Sequence, residues 1–217
     1  METIFVFKVS CCTFAPIMRE KILTNATDLF LNYGFKSITM DDISNHIGIS
    51  KKTIYQHFDN KTTLVEAVSL HVFNTISCGI TDICSTKKDP IEEIFDIKQF
   101  VMEHLKDEKS SPQYQLQKYY PKIFNTLKKK QFDVMQQCVK DNLLRGVEIG
   151  LYRPSINIEF ISRIYFNSMV ALKDKELFPL NHFSVNTLMV YFLEYHLRGI
   201  CTEKGLLTLN KFIKNQS

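Results

Sequence analysis

The residues best suited to chemistry gather between Thr39 and Val68, in the run TMDDISNHIGISKKTIYQHFDNKTTLVEAV. Ser50-Lys51-Lys52-Thr53 sets two ammonium groups and two hydroxyls side by side. If that tetrapeptide opens a helix, its free backbone N–H groups and the positive end of the helix dipole point the same way, which suits a phosphate. Gln56 is a residue type that makes paired hydrogen bonds to adenine, and Tyr55 and His57 can bond phosphates beside it. Lys61 stands where it can clamp a flanking stretch of backbone. This is chemistry for reading a polyanion. The sequence carries no phosphate-binding glycine loop, no H-E-x-x-H, no nucleophile elbow and no plausible catalytic carboxylate pair, so it reads as a non-enzyme.

Short helices must hold these residues. Ile22, Ala26, Leu29, Phe30 and Tyr33 recur at helical spacing, predicting a helix from about Arg19 to Tyr33 that ends at Gly34. Thr39 with Asp42 three residues on is a capping-box pattern, predicting a second helix over about Met40–His46 with Ile43 and Ile47 inward. Helix capping also explains Asp41-Asp42 better than catalysis does. Gly48 breaks that helix, Ile49 plugs the corner, and Ser50 caps a third helix over about Lys51–Phe58 with Ile54 and Phe58 inward. Asn60 caps a fourth, from Lys61, that buries Leu64, Val68 and Val72. Two short capped helices joined at a glycine form a helix-turn-helix, whose second helix enters the major groove. Helix pairs of this kind also occur in proteins that never touch DNA, so spacing alone does not decide the matter.

The rest of the chain reads as longer helices. Asp89-Pro90 and Ser111-Pro112 each place a cap before a first-turn proline. Pro121 opens another helix ending near Gly146 or Gly150, and Asn157 caps one running to about Leu172. A last helix spans about Ser184–Arg198 and stops at Gly199. With 7 Gly and 6 Pro in 217 residues and 45% hydrophobic residues, the composition favours an all-α protein with a sizeable core. The net charge of +4 is too mild to argue for nucleic acid by itself. The six cysteines form no C-x-x-C pair and no zinc spacing, which suggests reduced thiols and a cytoplasmic home, with no metal or cofactor expected. No apolar run is expected to cross a membrane. Residues 1–17, METIFVFKVSCCTFAPI, lack the basic start of a secretory signal; they are expected to be an extension, disordered or a mis-called start before Met18.

Residues 18–65 resemble the N-terminal domain of TetR/AcrR-family repressors. The resemblance rests on Ala26-x-x-Leu29-Phe30, Gly34-Phe35, Thr39, Ile43, Gly48-Ile49-Ser50, Thr53-Ile54-Tyr55, His57-Phe58 and Asn60-Lys61-x-x-Leu64. The chain departs from the family at Lys52, where Gly or Ala is frequent, which bears on target choice. The resemblance implies a helix-turn-helix three-helix domain over 18–65, followed over 66–217 by a larger helical ligand-binding and dimerisation domain. It implies a repressor that a small molecule releases from a near-palindromic double-stranded DNA operator. The expected DNA-contacting residues are Thr39, Ser50, Lys51, Lys52, Thr53, Tyr55, Gln56, His57 and Lys61. The family's pocket is expected to be lined here by Phe73, Phe95, Phe100, Met102, Tyr119, Tyr120, Phe124 and Phe132, for an apolar or amphipathic effector. A homodimer is expected to form through Phe160, Ile161, Ile164, Phe166 and Val170 on one helix and Leu188, Met189, Phe192 and Leu193 on another. The alternative is a helical partner-binding protein that has lost DNA binding.

Overall fold

The computed structural model describes residues 10–106, 110–179 and 181–216, with side chains within residues 17–214 of these. Among the described residues the chain folds into ten helices: α1 Ser10–Tyr33, α2 Met40–Ile47, α3 Lys51–Tyr55, α4 Lys61–Ser85, α5 Pro90–His104, α6 Pro112–Tyr119, α7 Pro121–Glu148, α8 Ile158–Ala171, α9 Val185–Ile200 and α10 Glu203–Gln216. The all-α reading holds; among the described residues the one β-type pairing is an isolated bridge between Tyr152 and Cys201.

The local signals that build residues 18–65 are the capping residues and two glycines, Gly34 and Gly48. Thr39 and Asp42 form the full capping box of α2, each accepting a hydrogen bond from the other's backbone N–H. Ser50 Oγ accepts from Thr53 N at 3.1 Å, and Asn60 with Thr63 forms a second capping box at the start of α4. Gly48 ends α2 with φ +74, the left-handed region where a side chain would be strained and glycine is not. These turns let Ile22, Phe30, Ile43, Ile54 and Leu64, all fully buried, close one core. Leu116 of α6 and Ile123 and Leu127 of α7 join that same core. Residues 18–65 therefore share packing with the remainder of the chain. The third helix is shorter than expected: Gln56 caps it after Tyr55, and Phe58 reaches the core from the following turn.

Several expectations are corrected. Residues 1–9 lie outside the described residues; from Ser10 the backbone is already helical, so α1 starts well before Arg19. Tyr33 is 64% exposed and does not belong to the buried face of α1. Ser111 makes no side-chain cap bond. Gly199 does not end α9, which runs through to Ile200 and is followed by α10. In α10 Leu209 is fully buried and the Phe212 ring stacks on Phe95 at 4.7 Å. α4 is long and apolar enough, by length and composition, to cross a membrane, contrary to the expectation from sequence. Here its apolar residues have protein neighbours: Leu64, Val65 and Val68 are in the first core, and Val72, Phe73, Ile76 and Ile80 border an internal cavity.

The second core draws on α5, α7, α8, α9 and α10. At its centre is a polar chain. Arg145 grips Glu93, with Nη2 2.5 Å from each carboxylate oxygen, and Asn142 Nδ2 donates to Glu93 Oε1 at 2.8 Å. Tyr152 OH donates to Asn142 Oδ1 at 3.1 Å. Gly146 makes this possible: a Cβ there would sit 2.0 Å from the Tyr152 ring.

Candidate nucleic-acid interface and internal cavity

The α2–α3 unit presents a smaller outward set than the sequence suggests. Lys52, Tyr55 and Gln56 are exposed, and His57 is half-buried. Ser50 and Thr53 are occupied with each other, Oγ to Oγ1 2.8 Å, as part of the cap. Thr39 Oγ1 donates to Asp42 Oδ2 at 2.7 Å; these bonds hold the Asp42 carboxyl below its ordinary value and fix the start of α2. Lys51 bends back to Asp41, Nζ to Oδ2 2.8 Å, and that hydrogen bond raises its ammonium above the usual lysine value. Lys61 turns inward: its Nζ donates to the Lys36 carbonyl at 3.3 Å, and burial lowers its pKa. The phosphate-binding end expected at Ser50–Thr53 is thus an internally bonded cap with Lys52 beside it, because short side chains at a helix start satisfy the nearest orphan N–H first.

Sequence reasoning missed a contact that ties this unit to the rest of the chain. Gln115 of α6 accepts a hydrogen bond from Lys36 N at 3.0 Å and donates to the Ser110 carbonyl at 2.6 Å. Ser110 Oγ in turn donates to the Phe30 carbonyl at 3.2 Å, and Lys36 Nζ lies 4.8 Å over the Tyr119 ring. No local pattern marks Gln115 for this role, since its partner Lys36 is 79 positions away.

Behind α6 lies a cavity of ≈ 210 Å³, walled by α4, α5, α7, α8 and α9. Its lining is mostly apolar; the polar exceptions include Ser69, Gln131, Asn142 and His196 and the charged Glu93, Lys98 and Lys173. The Ser69 hydroxyl is buried and has no hydrogen-bond partner, and burial pushes the His196 imidazole down to about 4. Leu31 of α1 and Phe35 just after it also line the cavity, a direct contact from the first helix that was not expected.

Of the eight expected lining residues, Phe73 and Phe124 border this cavity and six do not. Phe95 is covered by Phe212, and Phe100 lies against Gly79 and the His104 ring. Met102 packs with Leu172, Val185 and Leu188, and Tyr120 packs edge-on to Phe35. Phe132 sits edge-on to Phe166 beneath Arg163, and Tyr119 is exposed beside Lys36 and Lys118. Helical spacing identifies an apolar face without saying which neighbouring helix covers it. The same ambiguity affects the expected dimer stripes: Phe166, Leu188, Met189 and Leu193 are buried within the chain, whereas Phe160 and Ile164 face outward, as do Tyr191 and Tyr195, which the stripes did not include.

Comparison with known proteins agrees with this geometry. Residues 22–68 match the family described as bacterial regulatory proteins, tetR family. The biofilm operon icaADBC HTH-type negative transcriptional regulator IcaR of Staphylococcus epidermidis is 39% identical over 57 residues, 26% of this chain and 31% of that protein. IcaR of Staphylococcus aureus is 41% identical over 49 residues, 23% of this chain and 26% of that protein. The match thus spans less than a third of each relative. Whole-chain likeness comes from solved structures and concerns the fold. A TetR-family transcriptional regulator from Agrobacterium tumefaciens has TM-score 0.68 at 19% identity, covering 87% of this chain and 100% of its own. A structure from Saccharomonospora viridis in complex with choline has TM-score 0.71 at 19% identity, again covering 87% and 100%. A SmeT–triclosan complex has TM-score 0.62 at 14% identity, covering 86% and 93%. Residues 22–68, the helix-turn-helix, are thus matched in sequence to the tetR family of bacterial regulatory proteins, and the whole chain shares its fold with solved regulators.

Proposed function

We propose that this chain is a homodimeric DNA-binding transcriptional regulator, a repressor released from a near-palindromic operator by a small apolar or amphipathic ligand. The observation that carries the reading is the doubly capped α2–α3 unit, which leaves Lys52, Tyr55 and Gln56 outward on the second helix. In this geometry Lys52 and Tyr55 contact phosphates and Gln56 reaches base edges. The reading head comprises residues 18–65, and a DNA-bound regulator works in the cytoplasm.

The cavity is the ligand site in this reading. Its apolar walls suit an apolar body, and the unbonded Ser69 hydroxyl offers one hydrogen bond to a polar end. The choline and triclosan complexes of similarly folded proteins support a small-molecule ligand for a chain of this fold. Because Leu31 and Phe35 form part of the wall, a ligand that displaces them moves the first helix of the head. Release requires that the ligand favour the conformation that does not fit DNA. Phe160 and Ile164 on α8, with Tyr191 and Tyr195 on α9, offer the outward apolar face for dimerisation; Tyr195 is 78% exposed.

Selection from random duplex DNA with the purified chain tests this. Enrichment of two inverted half-sites whose centres lie about one helical turn apart, roughly 34–36 Å, is expected. Absence of any enriched motif would favour the helical partner-binding alternative.

A further inference from the structure

Cys84, near the end of α4, and Cys138, in α7, bring their sulfurs within 2.8 Å of each other. Both are free thiols, and both keep partial exposure. A disulfide has its sulfurs about 2.05 Å apart, so closing the bond needs an approach of about 0.75 Å. The pair is chemically unequal. The hydrogen bond from Cys138 lowers the Cys84 thiol, and the same contact together with burial raises that of Cys138. Cys84 is therefore the sulfur that reaches the thiolate form, and thiolates are the reactive species. Cys138 also borders the internal cavity, whereas Cys78 is exposed and Cys201 is buried in the second core.

We propose that Cys84 and Cys138 form a reversible dithiol–disulfide couple, oxidised by a hydroperoxide, that fastens the far end of α4 to α7. The Cys84 thiolate attacks the distal peroxide oxygen; the O–O bond breaks, the alkoxide or hydroxide leaves and takes up a proton, and sulfur becomes a sulfenic acid. The Cys138 sulfur then attacks Cys84 sulfur. The S–S bond forms, the S–O bond breaks, and water departs with the Cys138 proton. Two thiols and one hydroperoxide thus give one disulfide, one alcohol or water, and one water. A dithiol reductant restores both thiols by exchange. α4 starts in the reading head at Lys61 and ends at Ser85, so the bond would act at the opposite end of a single helix about 36 Å long. Its consequence for DNA rests on the proposed function; its formation does not.

The test treats the full chain with one equivalent of hydrogen peroxide, then maps peptides and records melting. A mass loss of 2 Da, a Cys84–Cys138 linked peptide and a melting temperature at least about 5 °C higher, all reversed by dithiothreitol, are expected. Cys84→Ser and Cys138→Ser should each abolish the linked peptide. Oxygen addition without that peptide, or linkage through Cys78 instead, would overturn the couple. On a duplex selected as above, reduced and oxidised protein should differ at least about tenfold in affinity; equal affinities would overturn the gating. If the reduced protein bound no duplex, the DNA reading and the gating would both fall, while the linked peptide and the melting shift would still decide the couple.

Discussion

Lys51, at the start of α3, is held by Asp41 of α2, Nζ to Oδ2 2.8 Å. Both side chains are largely exposed, so the pair adds little to stability. Its effect lies in competition, because a phosphate arriving at Lys51 must displace a carboxylate. Asp41→Asn removes the competitor and its repulsion, and should tighten binding to operator DNA by roughly 3- to 10-fold at ~0.1 M salt. Fluorescence anisotropy on a labelled duplex measures it. Unchanged or weaker binding would mean that Lys51 takes no part at the DNA.

Gln115 is the hydrogen-bonded tie between α6 and the turn after α1, and its neighbours Gln113 and Leu116 border the cavity. Gln115→Ala should cost only about 1 kcal/mol of stability. DNA affinity without effector should stay within about 3-fold of wild type, while the effector's power to release DNA should fall. Titrating an effector against the preformed complex of each protein tests the tie; equal release would remove Gln115 from the coupling route.

Arg145 answers a fully buried carboxylate at Glu93, so removing it strands a charge. Arg145→Ala should lower stability by roughly 3 kcal/mol, read from urea denaturation. The double change Glu93→Leu/Arg145→Leu removes both charges and should recover much of the loss. A double variant no better than the single one would contradict this.

His196 is buried among Tyr165 and Phe192, and burial lowers its pKa from 6.5 to about 4. The folded-state value is below the unfolded one, so between these values the unfolded chain binds more protons. Stability from this group is therefore full above about 6.5 and is lost as pH falls toward about 4, by roughly 3 kcal/mol at most. Melting curves from pH 7 to 4 should fall less steeply for His196→Phe than for wild type; parallel curves would refute the assignment.

The head was legible because its signals are local. Thr39 with Asp42, Gly48, Ser50 and Asn60 each act within four residues, and each was assigned its place from sequence. What the side chains do once folded was less legible. Lys51 reads as a free cation until Asp41, ten positions earlier, is brought beside it, and Lys61 reads as a clamp until the Lys36 carbonyl meets it. The cavity was least legible. Phe95 and Phe132 have the right residue type, but α10 and α8 cover them, and Gly199 reads as a stop although α9 runs through it and α10 follows. Leu31 and Phe35 line it only because α1 leans on α4 and α6, and periodicity carries no such information.

The central claim is that the outward residues of α3 and the residue capping it read DNA. The most direct test is affinity for the selected duplex across about 50–200 mM salt, for wild type and for Lys52→Ala/Tyr55→Ala, with melting temperature as a fold control. Wild type should bind tightly, with an affinity that weakens steeply with salt. In the variant, affinity should fall by at least about tenfold and the slope of log K against log salt should be shallower by about 1–2, at unchanged melting temperature. A correctly folded variant that matched wild type in both affinity and slope would contradict it.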